Sequence, residues 1–263
     1  MRLSITLPSL FPDDLARTLD LLDAHTRAVD FEVVVVSPFE VKRPRVVWVR
    51  EETPRGNAPA HAAAFAHATG DLVVAMSDDT APVPGWDAQA MAAFAERERG
   101  HDLFCLGLGL SSRYIGTVFG LYYPFFPLAR RGGLAAIGYY SDAYQAHFAD
   151  SDLALRIWSA GGRCEFSERP LIALDTGNLR PATRKGKAMA ADMATFVQRW
   201  AGRYGAGWDV SHLDGFLLDL NPLLQLSCVR ERTVRLNTPR LKELYDNYHA
   251  SMASCQAAIT FPE

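Results

Sequence analysis

The sequence predicts an α/β fold, with a mostly parallel central sheet flanked by helices. Three observations carry that expectation. Apolar, β-branched runs alternate with amphipathic segments through the first hundred residues, the pattern of strands joined by crossover helices. One run, Val73-Val74-Ala75-Met76, stops abruptly at Ser77-Asp78-Asp79 and turns through Pro82-Val83-Pro84-Gly85. The chain's 263 residues are 49% hydrophobic, enough for a sizeable core in one large domain or two intimate subdomains.

Leu3 to Leu7 reads as the first strand. Pro12-Asp13-Asp14 opens a helix to about His25, with acids in the first turn, where the helix dipole favours them. Phe31 to Val36 is a continuous apolar run, as expected of a strand buried on both faces. Val46 to Val49 is a third, short strand. Asn57 to Thr69 is alanine-rich and helical, with Gly70 expected as its C-cap. Asp71 to Met76 is the fourth strand and leads to the two aspartates. Gly85 to Arg99 is the next helix. The alternation then weakens. Leu103 to Leu110 reads as a strand, followed by a Gly- and aromatic-rich region to about Tyr140. Asp150 to Ala160 is a short helix ended by Gly161-Gly162. Arg163 to Phe166 and Leu171 to Leu174 are expected strands, and Ala188 to Tyr204 and Arg240 to Met252 expected helices. Pro181 to Lys187 is polar and basic and reads as a mobile loop. There is no internal repeat or low-complexity segment.

Composition excludes several classes of function. A formal net charge of −3 argues against nucleic-acid binding, which wants a basic face. Cys105, Cys164, Cys228 and Cys255 sit far apart, without zinc spacing, so reduced thiols in a cytosolic protein are expected. Met1 to Pro8 is broken too soon for a signal peptide. No run approaches the roughly 20 apolar residues of a membrane-spanning helix. The expectation is a cytoplasmic protein with no integral membrane segment.

Two segments carry the chemistry. Adjacent carboxylates at the carboxyl end of a buried strand are costly unless a cation or a sugar hydroxyl satisfies them. That edge is also where open α/β sheets bind ligands. A divalent metal carrying a diphosphate is the natural occupant of Asp78-Asp79; the plainer alternative is a surface turn. The second segment, Phe148-Ala149-Asp150-Ser151-Asp152, opens the helix that carries Arg156 and Trp158. Asp152 and Arg156 have the spacing of a helical i,i+4 pair, a structural account that stands beside any functional one. Asp150 sits at the helix start, either as a cap or facing a cleft.

In this order and spacing, the segments resemble the GT-A glycosyltransferases, in particular the large family 2 of inverting enzymes. The resemblance runs through Ile5-Thr6-Leu7-Pro8-Ser9, the strand Glu32 to Val36, Arg55-Gly56-Asn57, and Ala68-Thr69-Gly70-Asp71. It continues with the DxD-type Ser77-Asp78-Asp79, the turn Pro84-Gly85-Trp86, and the acid-led helix from Asp150. It covers residues 1 to about 175. It implies a GT-A catalytic domain over 1–185, with a nucleotide-sugar half to about residue 100 and an acceptor half from about 101 to 185. Residues 186–263 form a helical C-terminal extension. The implied reaction moves a sugar from a nucleoside-diphosphate donor to a hydroxyl acceptor, with inversion.

The resemblance assigns Pro8, Ser37, Arg55, Asp78 and Asp79 to the nucleotide sugar. Asp78 meets the ribose and Asp79 holds Mn²⁺ or Mg²⁺ on the diphosphate. Asp150 is the general base, with Asp152 and Arg156 behind it. Where the family usually shows an acid after the second strand, this chain has Ser37-Pro38-Phe39-Glu40, which leaves the nucleotide base open. UDP is the leading expectation, with GDP and dTDP as alternatives. Where many members carry a metal-binding histidine, this chain has Asp175, an acceptable oxygen ligand. An Asx-turn with Thr176 and Gly177 explains Asp175 equally well. Arg180, Arg184 and Lys185 lie on the basic loop, which either closes over the diphosphate or is simply solvated. Trp86 and Trp158 either line an acceptor groove or pack in the core. His61 and His67 are expected to face out of the alanine-rich helix in no ligand pattern and read as structural.

A sugar-nucleotide pyrophosphorylase would need a glycine-rich loop after the first strand, and Pro8-Ser9-Leu10-Phe11 is not one. A catalytically impaired relative that binds nucleotide or glycan without transfer is the second reading. The acceptor is expected to be a glycan or a lipid-linked glycan. Phe216-Leu217-Leu218 and Leu223-Leu224 give the extension apolar faces but no basic amphipathic helix. Packing on the catalytic domain is its simplest role, with a homodimer contact or a peripheral contact at the inner face of the membrane as alternatives.

Overall fold

The computed structural model describes residues 1–109, 117–118, 121–167, 169–174 and 185–204. In chain order these form β1 (Arg2–Pro8), α1 (Pro12–His25), β2 (Asp30–Ser37), β3 (Val46–Arg50), α2 (Asn57–His67) and β4 (Leu72–Ala75). There follow β5 (Thr80–Pro82), α3 (Trp86–Arg97), β6 (Phe104–Gly107), β7 (Thr117–Val118), β8 (Leu121–Tyr122) and β9 (Pro127–Arg130). The last are α4 (Arg131–Ile137), α5 (Ala149–Ser159), β10 (Arg163–Phe166), β11 (Ile172–Leu174) and α6 (Lys185–Tyr204).

Seven strands form one sheet in the order β10-β6-β9-β4-β1-β2-β3. Its strands share one direction except β9, which runs antiparallel to both β4 and β6. Two small ladders, β11–β5 and β7–β8, stand apart. The pleat sends alternate residues to opposite faces. Leu3, Ile5 and Leu7 of β1 join Val33 and Val35 of β2 and Leu72 and Val74 of β4 in a core shared with α1 and α3. Val34, Val36, Val73 and Ala75 face the other way, into a core shared with α2, α5 and α6. Helices thus cover both faces, which is why β2 and β4 are buried on both.

The elements follow from local chemistry. In α1, Pro12 occupies the first turn beside Asp13 and Asp14, and Leu15, Leu19 and Leu22 form its buried stripe. Gly70 is not a helix cap: α2 ends at His67 with Ala68 extended. A side chain at Gly70 would meet the backbone nitrogen of Ser4 at 2.7 Å. Its glycine serves the close approach of the chain to β1 instead. The Gly- and aromatic-rich region contains a strand that hydrophobic periodicity does not reveal. β9 opens on Pro127, tolerated at a strand's first residue, and buries Leu128 and Ala129 between β4 and β6. In α6, Phe196 and Trp200 pack into the same core as α5. The expected helix at 240–252 lies outside the described residues. No helix among the described residues is long and apolar enough to cross a membrane.

Candidate functional site

The carboxyl ends of β1, β2 and β4 share one edge of the sheet. Beyond β4, Met76 N–H still donates to the Thr6 carbonyl at 3.0 Å. The chain then turns sharply, and the Thr80 hydroxyl donates to the Ser77 carbonyl at 2.6 Å. β5 follows at once and pairs with β11. Asp78 and Asp79 therefore sit on a tight turn between two ladders, at the edge where ligands bind in such sheets.

Hydroxyls hold this turn, two of them on its carboxylates. Ser9, just past β1, is 4% exposed. Its N–H donates to the Val36 carbonyl at 2.9 Å, and its hydroxyl to Asp78 Oδ2 at 2.6 Å. The Ser77 hydroxyl donates to Asp79 Oδ1. Thr18 on α1 donates to the Asp78 carbonyl at 2.8 Å. Among the described residues neither carboxylate forms an ion pair. Burial pushes the Asp78 carboxyl above the usual range. The Ser9 bond opposes this, and the neighbouring charges of Asp79 and Asp14 add to it. An acidic pair short of positive charge, presenting hard oxygens, suits Mg²⁺ or Mn²⁺. Among the described residues no third metal-ligating side chain joins them, so a bound ion would draw its other ligands from substrate, water or residues outside that set.

Asp150 lies in the first turn of α5. α5 leads directly into β10, which is parallel to β6 and starts at the opposite edge of the sheet. The start of α5 therefore returns to the edge that carries Asp78 and Asp79. The approach to α5 is tightly fixed. Asp192 of α6, 2% exposed, accepts the N–H groups of Gln145, Ala146 and His147 at 2.9, 2.9 and 2.8 Å. Gly56, at φ +132°, lets the chain pass so closely that a Cβ there would sit 2.2 Å from the Gln145 carbonyl oxygen. Phe148 then adopts φ +62°, a strained turn for a non-glycine residue, with its ring stacked on Phe196.

The Tyr140 hydroxyl donates to Asp150 Oδ1. Burial pushes the Asp150 carboxyl up to about 6, with the Tyr140 hydrogen bond pulling the other way. Tyr140 in turn packs against His61 and Tyr139, at ring separations of 5.0 and 4.7 Å. The Thr6 hydroxyl of β1 lies 2.9 Å from His61 Nδ1 and 3.2 Å from the Tyr139 hydroxyl. Burial pushes His61 down to about 3, which keeps its imidazole neutral.

The other expected site residues divide clearly. Asp152 is wholly buried and takes Arg156 Nε at 2.8 Å, Trp200 Nε1 at 2.8 Å, Tyr144 at 3.1 Å and Arg199 at 3.1 Å. Arg156 also donates to the carbonyls of Ile137, Gly138 and Tyr139 beyond α4. Both therefore lock α5 to α4 and α6, the structural role open to them from sequence. Trp86 is 0% exposed in the α1/α3 core, its Nε1 donating to Thr26 Oγ1 at 3.0 Å. Its apolar bulk and its one donor are both satisfied inside the protein, the core packing open to it from sequence. Trp158 is likewise buried.

Ser37 is also turned inward. It is 0% exposed, and its hydroxyl donates to the Phe39 carbonyl at 2.6 Å and accepts from Trp48 Nε1 at 3.1 Å. It shapes the loop after β2 and has no proton left for a nucleobase. Glu40 pairs with Lys42 in solvent. Pro8 ends β1 opposite Val36. Arg55 is exposed before α2 and faces Glu51 at 3.7 Å. His67 is exposed, as expected, but His61 is 4% exposed and faces inward from α2, where Thr6 and Tyr140 pack against it. Asp175, Arg180 and Arg184 lie outside the described residues, as does the side chain of Lys185 at the start of α6.

Sequence reading does not find Ser9, Tyr140 or Asp192. The only local signal is at Ser9, where the N–H of Phe11 folds back on the hydroxyl at 3.1 Å just before Pro12. An open groove of about 450 Å³ lies further along α5, lined by Ile137, Arg156, Ser159, Ala160, Arg199 and Trp200. It holds no carboxylate of its own and is separate from the acidic edge.

No protein-family model matches the chain, and no curated protein matches it in sequence. Solved structures do match in fold. The mannosyltransferase PcManGT from Pyrobaculum calidifontis, solved in complex with GDP-Man and Mn²⁺, superposes with a TM-score of 0.58 at 16% identity. The match covers 98% of this chain and 84% of that one. S. aureus TarS 1–349 superposes with a TM-score of 0.55 at 14% identity, over 97% of this chain and 81% of that one. Its complex with UDP-GlcNAc gives a TM-score of 0.52 at 14% identity, over 99% and 82%. The chain has the α/β fold of these proteins, built on the same mostly parallel sheet.

Proposed function

We propose that this protein is an inverting GT-A glycosyltransferase of the family 2 type. It moves a sugar from a nucleoside diphosphate to a hydroxyl acceptor. One observation carries the reading: a single sheet edge holds an aspartate pair short of positive charge and an aspartate whose proton affinity is raised towards neutral pH. The fold shared with a GDP-Man complex and a UDP-GlcNAc complex supports it.

Asp79 would hold Mn²⁺ or Mg²⁺. Asp175 is a second candidate, because the chain leaves β11 at Leu174, which pairs across from Thr80. The metal, when bound, supplies positive charge to the departing diphosphate. Asp78, tethered by Ser9, would meet the ribose, and Arg55 and the basic residues Arg180, Arg184 and Lys185 are the candidates for the phosphates. The acceptor oxygen forms a bond to the anomeric carbon as the bond from that carbon to the phosphate oxygen breaks. The electron pair leaves with the nucleoside diphosphate. Asp150 takes the proton from the acceptor hydroxyl, and a base with a midpoint near 6 is well matched to that task.

Calorimetric titration of UDP and GDP, each with and without Mn²⁺, into wild type and Asp79→Ala tests the donor site. Binding that requires the metal and disappears in Asp79→Ala is the expected result, and it also chooses the base. No binding of either nucleotide would refute the site. The second reading is binding of nucleotide or glycan without transfer. Metal-dependent release of UDP or GDP from a sugar nucleotide would exclude that reading.

A further inference from the structure

The assignment of Asp150 as base leaves open what aims its carboxylate. A carboxyl group rotates about its last bond unless one oxygen is held, and a base must keep a lone pair pointed at its proton. The backbone around Asp150 is fixed by the Asp192 grip on residues 145–147 and by the Phe148 turn. The side chain is fixed by one described residue alone, Tyr140, bonded to Oδ1. No described residue bonds Oδ2.

Tyr140 is itself built to stay in place. Its side chain is buried, wedged between the rings of His61 on α2 and of Tyr139. Tyr139 is stacked on Phe65 at 4.6 Å, and the Thr6 hydroxyl ties His61 and Tyr139 together beneath it. Burial, reinforced by the charge of Asp150, holds the Tyr140 hydroxyl well above its usual range, so it keeps its proton and remains a donor. The titratable groups packed about the pair are Tyr139, the neutral His61 and the buried Cys105 of β6. Burial keeps both Tyr139 and His61 uncharged near neutral pH. The Tyr140 hydroxyl is thus the one polar control on Asp150 among the described residues.

We propose that Tyr140 is the positioning residue for the base. It clamps Asp150 Oδ1 and leaves Oδ2 for the acceptor hydroxyl, on a platform built from Thr6, His61 and Tyr139. This rests on the reading of Asp150 as base, and the two are separable by experiment.

The test is a ¹³C NMR titration of the full chain carrying [¹³Cγ]-aspartate, with Asp150→Asn identifying the resonance. Removing the Tyr140→Asp150 donor destabilises the anion. The Tyr140→Phe variant is therefore expected to raise the Asp150 midpoint by about one pH unit. Tyr139→Phe removes a hydroxyl that bonds Thr6 and is expected to leave the midpoint where it is. Release of nucleoside diphosphate from UDP-GlcNAc or GDP-Man in Mn²⁺ is followed over pH in the same proteins. The acid limb of kcat/KM should move up with the NMR midpoint in Tyr140→Phe. An unmoved midpoint in a folded Tyr140→Phe protein overturns the clamp. A midpoint that moves while the pH–rate profile stays fixed, or while wild type releases no nucleotide, overturns the base instead and leaves Tyr140 attached to a structural acid.

Discussion

The chain places acids in two regions, at the turn after β4 and in the first turn of α5, and satisfies Asp152 of α5 in a way opposite to the rest. Within α5 the contrast spans two residues. Asp152 is surrounded by Arg156, Arg199, Trp200 and Tyr144. Among the described residues Asp150 has a single neutral partner, Tyr140. At the β4 turn, the carboxylates of Asp78 and Asp79 likewise have, among the described residues, only the hydroxyls of Ser9 and Ser77. A carboxylate with guanidinium partners already has its counter-charge and serves the fold. One held by neutral donors still needs a cation or a proton, which is what a substrate site offers.

Breaking the structural acid should have the largest effect. Asp152→Ala strands Arg156 beside α4, and leaves Trp200 Nε1 and the Tyr144 hydroxyl without their acceptor. Removing one partner of a buried ion pair costs about 3–5 kcal/mol. Urea unfolding should therefore show a large loss or no folded protein. A loss below about 1 kcal/mol would mean that Asp152 is not the hub that joins α5 to α6.

Asp150→Asn should act in the other direction. The folded value of about 6 lies above the ordinary aspartate value of about 3.9. The fold therefore favours the protonated form, and the stability this gives is fully present below about pH 4. It is lost as pH rises through about 6. An amide carries no such dependence, so Asp150→Asn should be about 1–3 kcal/mol more stable than wild type at pH 8. The two should converge near pH 4. Thermal melts across that range check it, while nucleotide release should fall at least about 100-fold. A stabilised, inactive variant is the signature of a residue kept for chemistry rather than for folding.

The two regions also differ in what the sequence discloses. Through β4 the strands are continuous apolar runs, most of them joined by helices, so Leu3 to Leu7, Phe31 to Val36 and Asp71 to Met76 can be read directly from periodicity. β10 (Arg163–Phe166) and β11 (Ile172–Leu174) are legible as well, but β9 is not. β9 is four residues long, begins with proline and owes its burial to its neighbours β4 and β6. At the site, Asp78, Asp79 and Asp150 are legible because charge interrupts apolar pattern. The groups that hold them are not, because they are tertiary: Ser9 reaches Asp78 across 69 positions, and Asp192 reaches Gln145 across 47. Ser37 and Trp86 show the converse. Their position in sequence suits a ligand, but in each the polar atom is used up inside the protein.

The smallest expected effect separates the two hydroxyl-held acids most finely. Ser9→Ala removes the donor from Asp78 Oδ2 and the acceptor for the Phe11 N–H at the start of α1. The loss should be about 1 kcal/mol, the usual contribution of such a bond. Asp78 loses its main stabilising partner while Asp79 and Asp14 remain, so its proton affinity should rise further. The destabilisation should therefore be greatest at neutral and alkaline pH, where Asp78 is ionised in the unfolded chain, and should shrink as pH falls below about 4. A bound Mn²⁺ would supply positive charge at the turn that the lost hydroxyl cannot. If the turn is a metal and ribose site, adding Mn²⁺ with UDP or GDP should restore much of the lost stability in thermal melts of Ser9→Ala. Without a metal site at Asp79 there is nothing for the ion to compensate, and the deficit would stay the same with or without it.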